Sequence, residues 1–268
     1  MKTVNPRLYT KKYFLDECEG GDYWERSWGQ ELNPRLAYAW DLAKIQKGEK
    51  VLDVGCGRGE MLVRSALAGA KAVGIDYSQE AVSLSRAAIY KNKLRAKAQA
   101  IWVSGKRLPF ADDSFGVVFF LDVAEHLYPE ELGEMLVEIR RVLKPDGRLV
   151  VHTAPNRDWL EGGYKYFTRY ANFLASKLIW EPVFRTKLMY SKDPRNNIDK
   201  KVHVNEQSVE SLRQSLKNSG FGKVDVWLDS SFRRINKGFW FQFTLLQPIW
   251  VPVFGKYFQM DIWGMAGE

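Results

Sequence analysis

The chain has 268 residues, 46% of them hydrophobic and 27% charged, with a formal net charge of +8. That balance excludes a disordered chain and allows a full core, so one catalytic domain with additions is the starting expectation. Only Cys18 and Cys56 are present, and the N-terminus MKTVNPRLYTKKYFLDE holds no apolar run, which predicts no structural disulfide, no export signal and a cytoplasmic protein.

The excess positive charge is regional. Residues 165–201 carry nine Lys/Arg against Glu181, Asp193 and Asp199, and 231–258 add Arg233, Arg234, Lys237 and Lys256 with no acid. Such basic, aromatic segments suit an anionic membrane surface, nucleic acid or a phosphate-bearing substrate, and a solvated basic face explains them equally well. The most apolar run, FWFQFTLLQPIWVPVF at 239–254, is broken by Gln242, Gln247, Pro248 and Pro252, which argues against a membrane span.

Residues 1–48 precede any sheet-like alternation and are read as an N-terminal helical cap. From about residue 50, short apolar runs alternate with helical periodicity, the pattern of a mostly parallel sheet with helices on both faces, an α/β class. The alternation predicts a strand at 51–54, a helix over 58–68, and a second strand at 72–76 ending on Asp76, with Ser78 capping the next helix. The unbroken run 117–121 fits a central strand covered on both faces. Leu132, Met135, Leu136, Ile139 and Leu143 recur at helical spacing, Lys144 to Gly147 supply a stop and turn, and 149–151 is a further strand.

Residues 157–202, rich in aromatic and basic side chains and holding Pro182 and Pro194, break the rhythm and read as an insertion forming an acceptor-site lid. Over 203–268 the core resumes. Asn205 can cap a helix through Val209, Leu212 and Leu216, with Gly220 leaving it, and 224–228 forms a late strand. The aromatic stretch 239–246 suits a last strand or a segment facing a membrane or substrate. The core proper is thus 49–156.

In an open parallel sheet, ligands sit beyond the carboxyl ends of the strands, where Gly55, Cys56 and Gly57 lie. Glycines there let the backbone approach a ligand, and Asp76 ending the second strand can accept hydrogen bonds from two ribose hydroxyls, so an adenosine moiety is expected. A dinucleotide fingerprint beginning at Gly55 needs glycine where Glu60 stands, and Asp53 lies just upstream. Both acids oppose a pyrophosphate and favour S-adenosylmethionine, which has no phosphate and carries an ammonium and a sulfonium.

The segments VLDVGCGRGE (51–60), GIDYS (74–78), LPFADDSFGVVFFLDVAEHL (108–127) and LKPDGRLVV (143–151) together resemble the class I methyltransferases of the ubiquinone and menaquinone type. The resemblance implies a Rossmann-like sheet of seven strands in the order 3-2-1-4-5-7-6 with the seventh antiparallel. It places Asp53, Gly55 and Gly57, with Cys56 in the same loop, around the methionine part of the cofactor, Asp76 on its ribose and Tyr77 against its adenine. Ser104, followed by Gly105, stands where that family usually has an acid bonding the adenine amino group, and Phe115-Gly116 replaces its usual Phe-Asp pair. More loosely, YTKKYFLDECEGGDYW (9–24), LNPRLAYA (32–39) and DIWGMA (261–266) resemble a subgroup acting on sugars, glycans or lipid-linked glycans, and a lid over the sheet explains these aromatic motifs equally well.

Methyl transfer from a sulfonium is an in-line displacement, so positioning is most of the work, and a hydroxyl acceptor must also lose a proton. His126, oriented by Glu125, is the first candidate base, although both residues can instead merely cap the following turn. Asp122 suits a cofactor or substrate contact as well as a base. His152 reads as a core or rim residue, and His203 as a group that swings over the substrate or shapes a helix entry. No Cys/His spacing points to a metal, and none is expected. The absence of an Asn-Pro-Pro-Tyr motif or a Pro-Cys nucleophile makes nucleic acid an unexpected partner. The expected function is O-methylation of a sugar, glycan or lipid-linked small-molecule acceptor, possible alternatives being a quinone-like or lipid acceptor, or an RNA-binding protein or RNA methyltransferase. Contact with the membrane periphery fits the basic, aromatic segments.

Overall fold

The computed structural model describes residues 3–105, 107–230 and 255–268. Its strands are β1 (Lys50–Val54), β2 (Lys71–Asp76), β3 (Ala98–Trp102), β4 (Phe115–Leu121), β5 (Leu143–Thr153), β6 (Lys223–Leu228) and β7 (Ile262–Gly267). They form one sheet in the order β3-β2-β1-β4-β5-β7-β6. Neighbours are parallel except β7, which runs antiparallel between β5 and β6, so the expected order and hand of the last strand are found. Every residue of β4 is buried, as its unbroken apolar sequence requires of a strand covered on both faces.

Alternation along the strands feeds two cores. Val51, Val117, Phe119 and Val150 pack with Leu36 and Ala39 of α2 (Pro34–Ala43), Met61 and Leu62 of α3 (Glu60–Leu67), and Val82 and Ile89 of α4 (Gln79–Lys91). Leu52, Val118, Phe120 and Leu149 pack the other way, against Leu132, Leu136 and Ile139 of α5 (Pro129–Val142) and Leu212 and Leu216 of a helix at Val209–Asn218. A third cluster joins the N-terminal segment to the first layer: Tyr9, Tyr13, Phe14 and Trp24, the last in α1 (Gly21–Ser27), meet Val63, Ala81 and Leu84.

Ser78 caps α4 as expected, accepting from the Ala81 N–H at 3.3 Å. Asn205 does not cap the late helix. Ser208 does, accepting from the Ser211 N–H at 3.1 Å while Ser211 Oγ accepts from the Ser208 N–H at 2.8 Å. Asn205 is held instead by its own N–H, donated to the Glu125 carbonyl at 3.1 Å. The turn expected at 144–147 is absorbed into β5, which begins at Leu143 opposite Phe115 and shifts register before Val117 pairs with Arg148. Ile262 to Ala266 of DIWGMA lie in β7, inside the sheet, which sets aside the alternative reading of that motif as a lid over it. The strand expected at 239–246 lies outside the described residues.

The insertion is helical. A π-helical segment at Trp159–Thr168 runs into α6 (Arg169–Ala175) and then a second π-helical segment at Ser176–Phe184 that contains Pro182. The chain returns through α7 (Asp199–Val202) before the late helix, α8. Among the described residues, no helix is long and apolar enough to cross a membrane.

Candidate active site

The loops leaving β1, β2 and β4 enclose a cavity of about 340 Å³. Its lining includes Asp53, Gly55, Cys56, Gly57, Asp76, Tyr77, Ser104, Gly105, Asp122 and His126, with Tyr9, Tyr13 and Phe14 of the N-terminal segment; Glu125 is not part of it. Gly55 turns at φ 78°, and a Cβ there would stand 2.3 Å from Val123 Cγ2, so glycine is demanded by both conformation and space. The Gly55 and Cys56 N–H groups both donate to the Ile75 carbonyl, at 2.9 and 3.0 Å, locking the loop onto the end of β2. The Cys56 side chain packs toward Gly74, with its sulfur 3.5 Å from Ser85 Oγ, and burial raises its thiol pKa.

Asp76 is oriented by its neighbours: Oδ2 accepts the Gly57 N–H at 3.0 Å and Oδ1 the Ser78 N–H at 2.8 Å. Burial nevertheless pushes its pKa up to about 6, because these bonds offset only part of the desolvation. Asp53 is pushed up further, to about 8, first by burial and then by the nearby Glu60 and Asp76 carboxylates. Glu60 is not a free acid facing the ligand, as its sequence position suggests. It accepts from Arg58 Nε at 2.7 Å in a pair of which both side chains are under a tenth exposed. Arg58 also donates to the Phe14 carbonyl at 2.7 Å and the Glu19 carbonyl at 2.8 Å, strapping the N-terminal segment over the loop.

These residues fit S-adenosylmethionine. Asp53 is a buried carboxylate beside two other acids, and a ligand ammonium is the charge that would relieve it. Asp76 lines the cavity with its carboxylate oriented by backbone N–H groups, as an acceptor of ribose hydroxyls requires. Gly55 keeps the backbone open beside both.

Across the cavity, Tyr9 Oη lies 2.9 Å from His126 Nδ1. His126 also bonds the Val202 backbone, and burial with the nearby His203 pushes its pKa down to about 3. The tautomer that satisfies both contacts has Nδ1 accepting from Tyr9 and the other nitrogen donating to Val202. Such an imidazole is neutral, occupied and weakly basic. Glu125 is buried, accepts from Thr153 Oγ1 at 2.8 Å, and has its carboxyl pKa raised by desolvation. Its carbonyl accepts the Val204 and Asn205 N–H groups, so it anchors the segment bearing His203 rather than orienting the His126 ring.

The His126 and His203 rings stand edge to face at 4.8 Å. His203 lines a second cavity of about 190 Å³, with Pro155, Trp159, Met189, Arg195 and Met260, under the insertion. Its Nδ1 is buried without a hydrogen-bond partner, and Nε2 lies 3.9 Å from Asp199. Desolvation lowers the His203 pKa, with Asp199 acting in opposition. Glu125, His126 and His203 offer ligand-type atoms within 4.8 Å of one another, the group among the described residues closest to a metal set. With Nδ1 of His126 at Tyr9 and Glu125 at Thr153, two of its three members are committed to hydrogen bonds.

Asp122 follows the last residue of β4 in the left-handed region, φ 56°, a conformation aspartate tolerates better than most residues. It forms an ion pair with Arg35 of α2 and lies 2.6 Å from His152 Nδ1, while His152 Nε2 is 3.3 Å from Asp261. Ser230 donates to the other Asp261 oxygen at 2.7 Å. The chain Arg35, Asp122, His152, Asp261 ties α2, β4, β5 and the entry to β7 together at the rim of the cavity. His152 is therefore a buried connecting residue. Tyr9 and Arg35 lie within the 9–24 and 32–39 segments, but nothing in the sequence assigns either of them a place at the site.

A seven-stranded sheet of this order, with a Gly-rich loop and an acid-ended second strand around one cavity, defines a class I methyltransferase fold. The chain belongs to the class I S-adenosylmethionine-dependent methyltransferases: it is 31% identical over 183 residues to the demethylmenaquinone methyltransferase of Tropheryma whipplei, covering 67% of this chain and 73% of that protein. A methyltransferase domain profile matches residues 52–151. The 27-O-demethylrifamycin SV methyltransferase of Amycolatopsis mediterranei is 31% identical over 121 residues, 45% of this chain and 43% of its own length, so the chain spans less than half of that relative. Among solved structures, a SAM-dependent methyltransferase from Archaeoglobus fulgidus aligns with a TM-score of 0.52 at 20% identity, covering 87% of this chain and 91% of that one, a likeness of fold.

Proposed function

We propose that this protein transfers a methyl group from S-adenosylmethionine to a hydroxyl oxygen of an apolar-bodied acceptor, a lipid-linked glycan or a quinone-like ring, that enters under the insertion. The observation that carries this reading is the His126–His203 contact, which joins the cavity of the Gly-rich loop to the smaller cavity beneath the insertion. Trp159, Met189, Pro155 and Met260 give the second cavity an apolar body, while Arg195 and His203 give it a polar end. A free sugar, which needs many polar partners, suits that lining less well.

S-adenosylmethionine, when bound, supplies an electrophilic methyl on a sulfonium. Asp53, Gly55, Gly57 and Asp76 would hold it. Tyr9, Tyr13 and Phe14 exclude water from the cavity, which favours an in-line approach of a desolvated acceptor oxygen. His203 Nδ1 would take the proton that the acceptor hydroxyl must lose as its oxygen receives the methyl. Desolvation lowers the His203 pKa and so favours the neutral ring, and Asp199 on the Nε2 side favours the tautomer that leaves Nδ1 free to accept. His126 holds Tyr9 and the His203 ring in place. The acceptor class is tested by incubating the protein with methyl-labelled S-adenosylmethionine and separated lipid, aqueous and RNA fractions. Label gained by an organic-phase product supports the reading. Label confined to aqueous sugars or RNA overturns it.

A further inference from the structure

The helical insertion buries one side and leaves the other apolar and uncovered. Trp159, Gly163, Tyr164, Thr168, Ala175 and Trp180 are its buried face. On the opposite side Phe167, Tyr170, Leu174 and Leu178 follow one another at three- and four-residue spacing, with exposures of 64, 54, 57 and 73%. Tyr166, Phe173, Ile179, Val183 and Phe184 widen that stripe, each more than two-fifths exposed. So much contiguous apolar surface is unusual on a monomer and marks a contact surface.

Charge decides what covers it. Lys165, Arg169, Lys177, Arg185 and Lys187 flank the stripe against Glu161 and Glu181, and Lys177 pairs with Glu181 at 2.8 Å. Lys165 and Arg169 lie over the rings of Tyr166 and Tyr170, 5.3 and 4.5 Å from the centroids, so their stems cover aromatic surface while their charges sit beside it. Tyrosines beside cations around a Leu/Phe stripe form the side-chain pattern of a helix lying in a lipid interface. A second copy of this chain would oppose one basic rim with another. Tyr257 packs against Gly162 and Gly163, and Phe258 beside Phe167, so the same element also meets the chain that precedes β7.

We infer that the exposed face of residues 166–184 is a docking surface for an anionic phospholipid membrane, on which the helix lies flat without crossing the bilayer. Hydrophobic insertion supplies the hold and the basic rim supplies the preference for negative headgroups. The surface stands apart from the acceptor reading above, since its readout is binding without turnover.

Sedimentation of the full chain with vesicles of phosphatidylcholine alone, and of phosphatidylcholine mixed with phosphatidylglycerol, tests it. Binding to the mixed vesicles should exceed binding to the neutral ones by about tenfold and weaken with added salt. The double variant L174E/L178E should lose binding to the mixed vesicles by about tenfold or more. Because both leucines are exposed, its melting temperature and S-adenosylmethionine affinity should match those of the wild type. K165E/K187E should bind the two vesicle types equally. Failure of the wild type to bind mixed vesicles, retention of binding by L174E/L178E, or a wild-type dimer in sedimentation velocity that L174E/L178E dissociates would each overturn the proposal, the last by assigning the face to a second copy.

Discussion

Asp53 holds its proton at neutral pH because burial and two neighbouring acids disfavour its charge, and it must release that proton when a cationic ligand arrives. S-adenosylmethionine affinity is therefore expected to rise between about pH 6 and pH 8, with uptake of a proton by the buffer, seen as a buffer-dependent heat in calorimetry. The linkage to folding has the opposite sense. A folded pKa raised from 3.8 to about 8 contributes stability below about pH 4 and loses it as pH climbs through 8. Asp53→Asn should thus stabilise the ligand-free protein at pH 8 by more than about 1 kcal/mol, the equivalent of one pKa unit, while weakening cofactor binding. Unchanged melting would show that the carboxylate is not desolvated. Among the histidines, His203→Ala should lower turnover about 100-fold without changing cofactor affinity, a larger effect than His126→Ala if His203 takes the proton. Asp53, Asp76 and the glycines are legible in the sequence because their roles are local to a strand, turn and strand. Tyr9 and Arg35 are not, since each meets the site across a long loop: Tyr9 reaches His126, 117 positions away, with no periodicity to announce it.

At the scale of elements, a single neighbour decides the outcome more than intrinsic propensity. Ser208 reciprocally bonds Ser211, so Ser208→Ala should cost α8 about 1 kcal/mol in a denaturant titration, while Asn205→Ala, outside the cap, should leave the helix intact. Asn205 looks the better cap in sequence because Asn is a preferred residue there. Its backbone N–H is instead held by Glu125, which a one-dimensional reading does not show. DIWGMA misleads similarly: Gly264, Met265 and Ala266 lack strand propensity, and only pairing on both sides makes them a strand. Arg58 joins two elements at once. Arg58→Ala would release Phe14 and Glu19 and leave Glu60 buried without its counter-charge, a loss of about 3–5 kcal/mol, accompanied by faster amide exchange over residues 9–24. Destabilisation without that local exchange would contradict the strap.

Over the whole molecule, the alternation from residue 50 onward suffices to read an α/β sheet, because each strand buried on both faces leaves an apolar run and each covering helix an amphipathic one. The insertion is visible only as a break in that rhythm. Its two-faced burial rests on Tyr257, about 95 positions on from Gly162, and on its own return segment, where Tyr164 donates to the Ser191 carbonyl, contacts that no local pattern announces. The order of strands in space differs from their order in the chain, and this bears on synthesis. Among the described strands β7 comes after all the others in the chain, yet it lies between β5 and β6 and pairs with both. Until residues 262–267 have left the ribosome, β5 has an unpaired edge and β6 has no partner in the sheet. The nascent chain thus carries two open strand templates for the time needed to make the residues between β6 and β7. A chain stopped before residue 262 would keep them open permanently, and aggregation, rather than loss of methyl-donor binding, would be its first symptom.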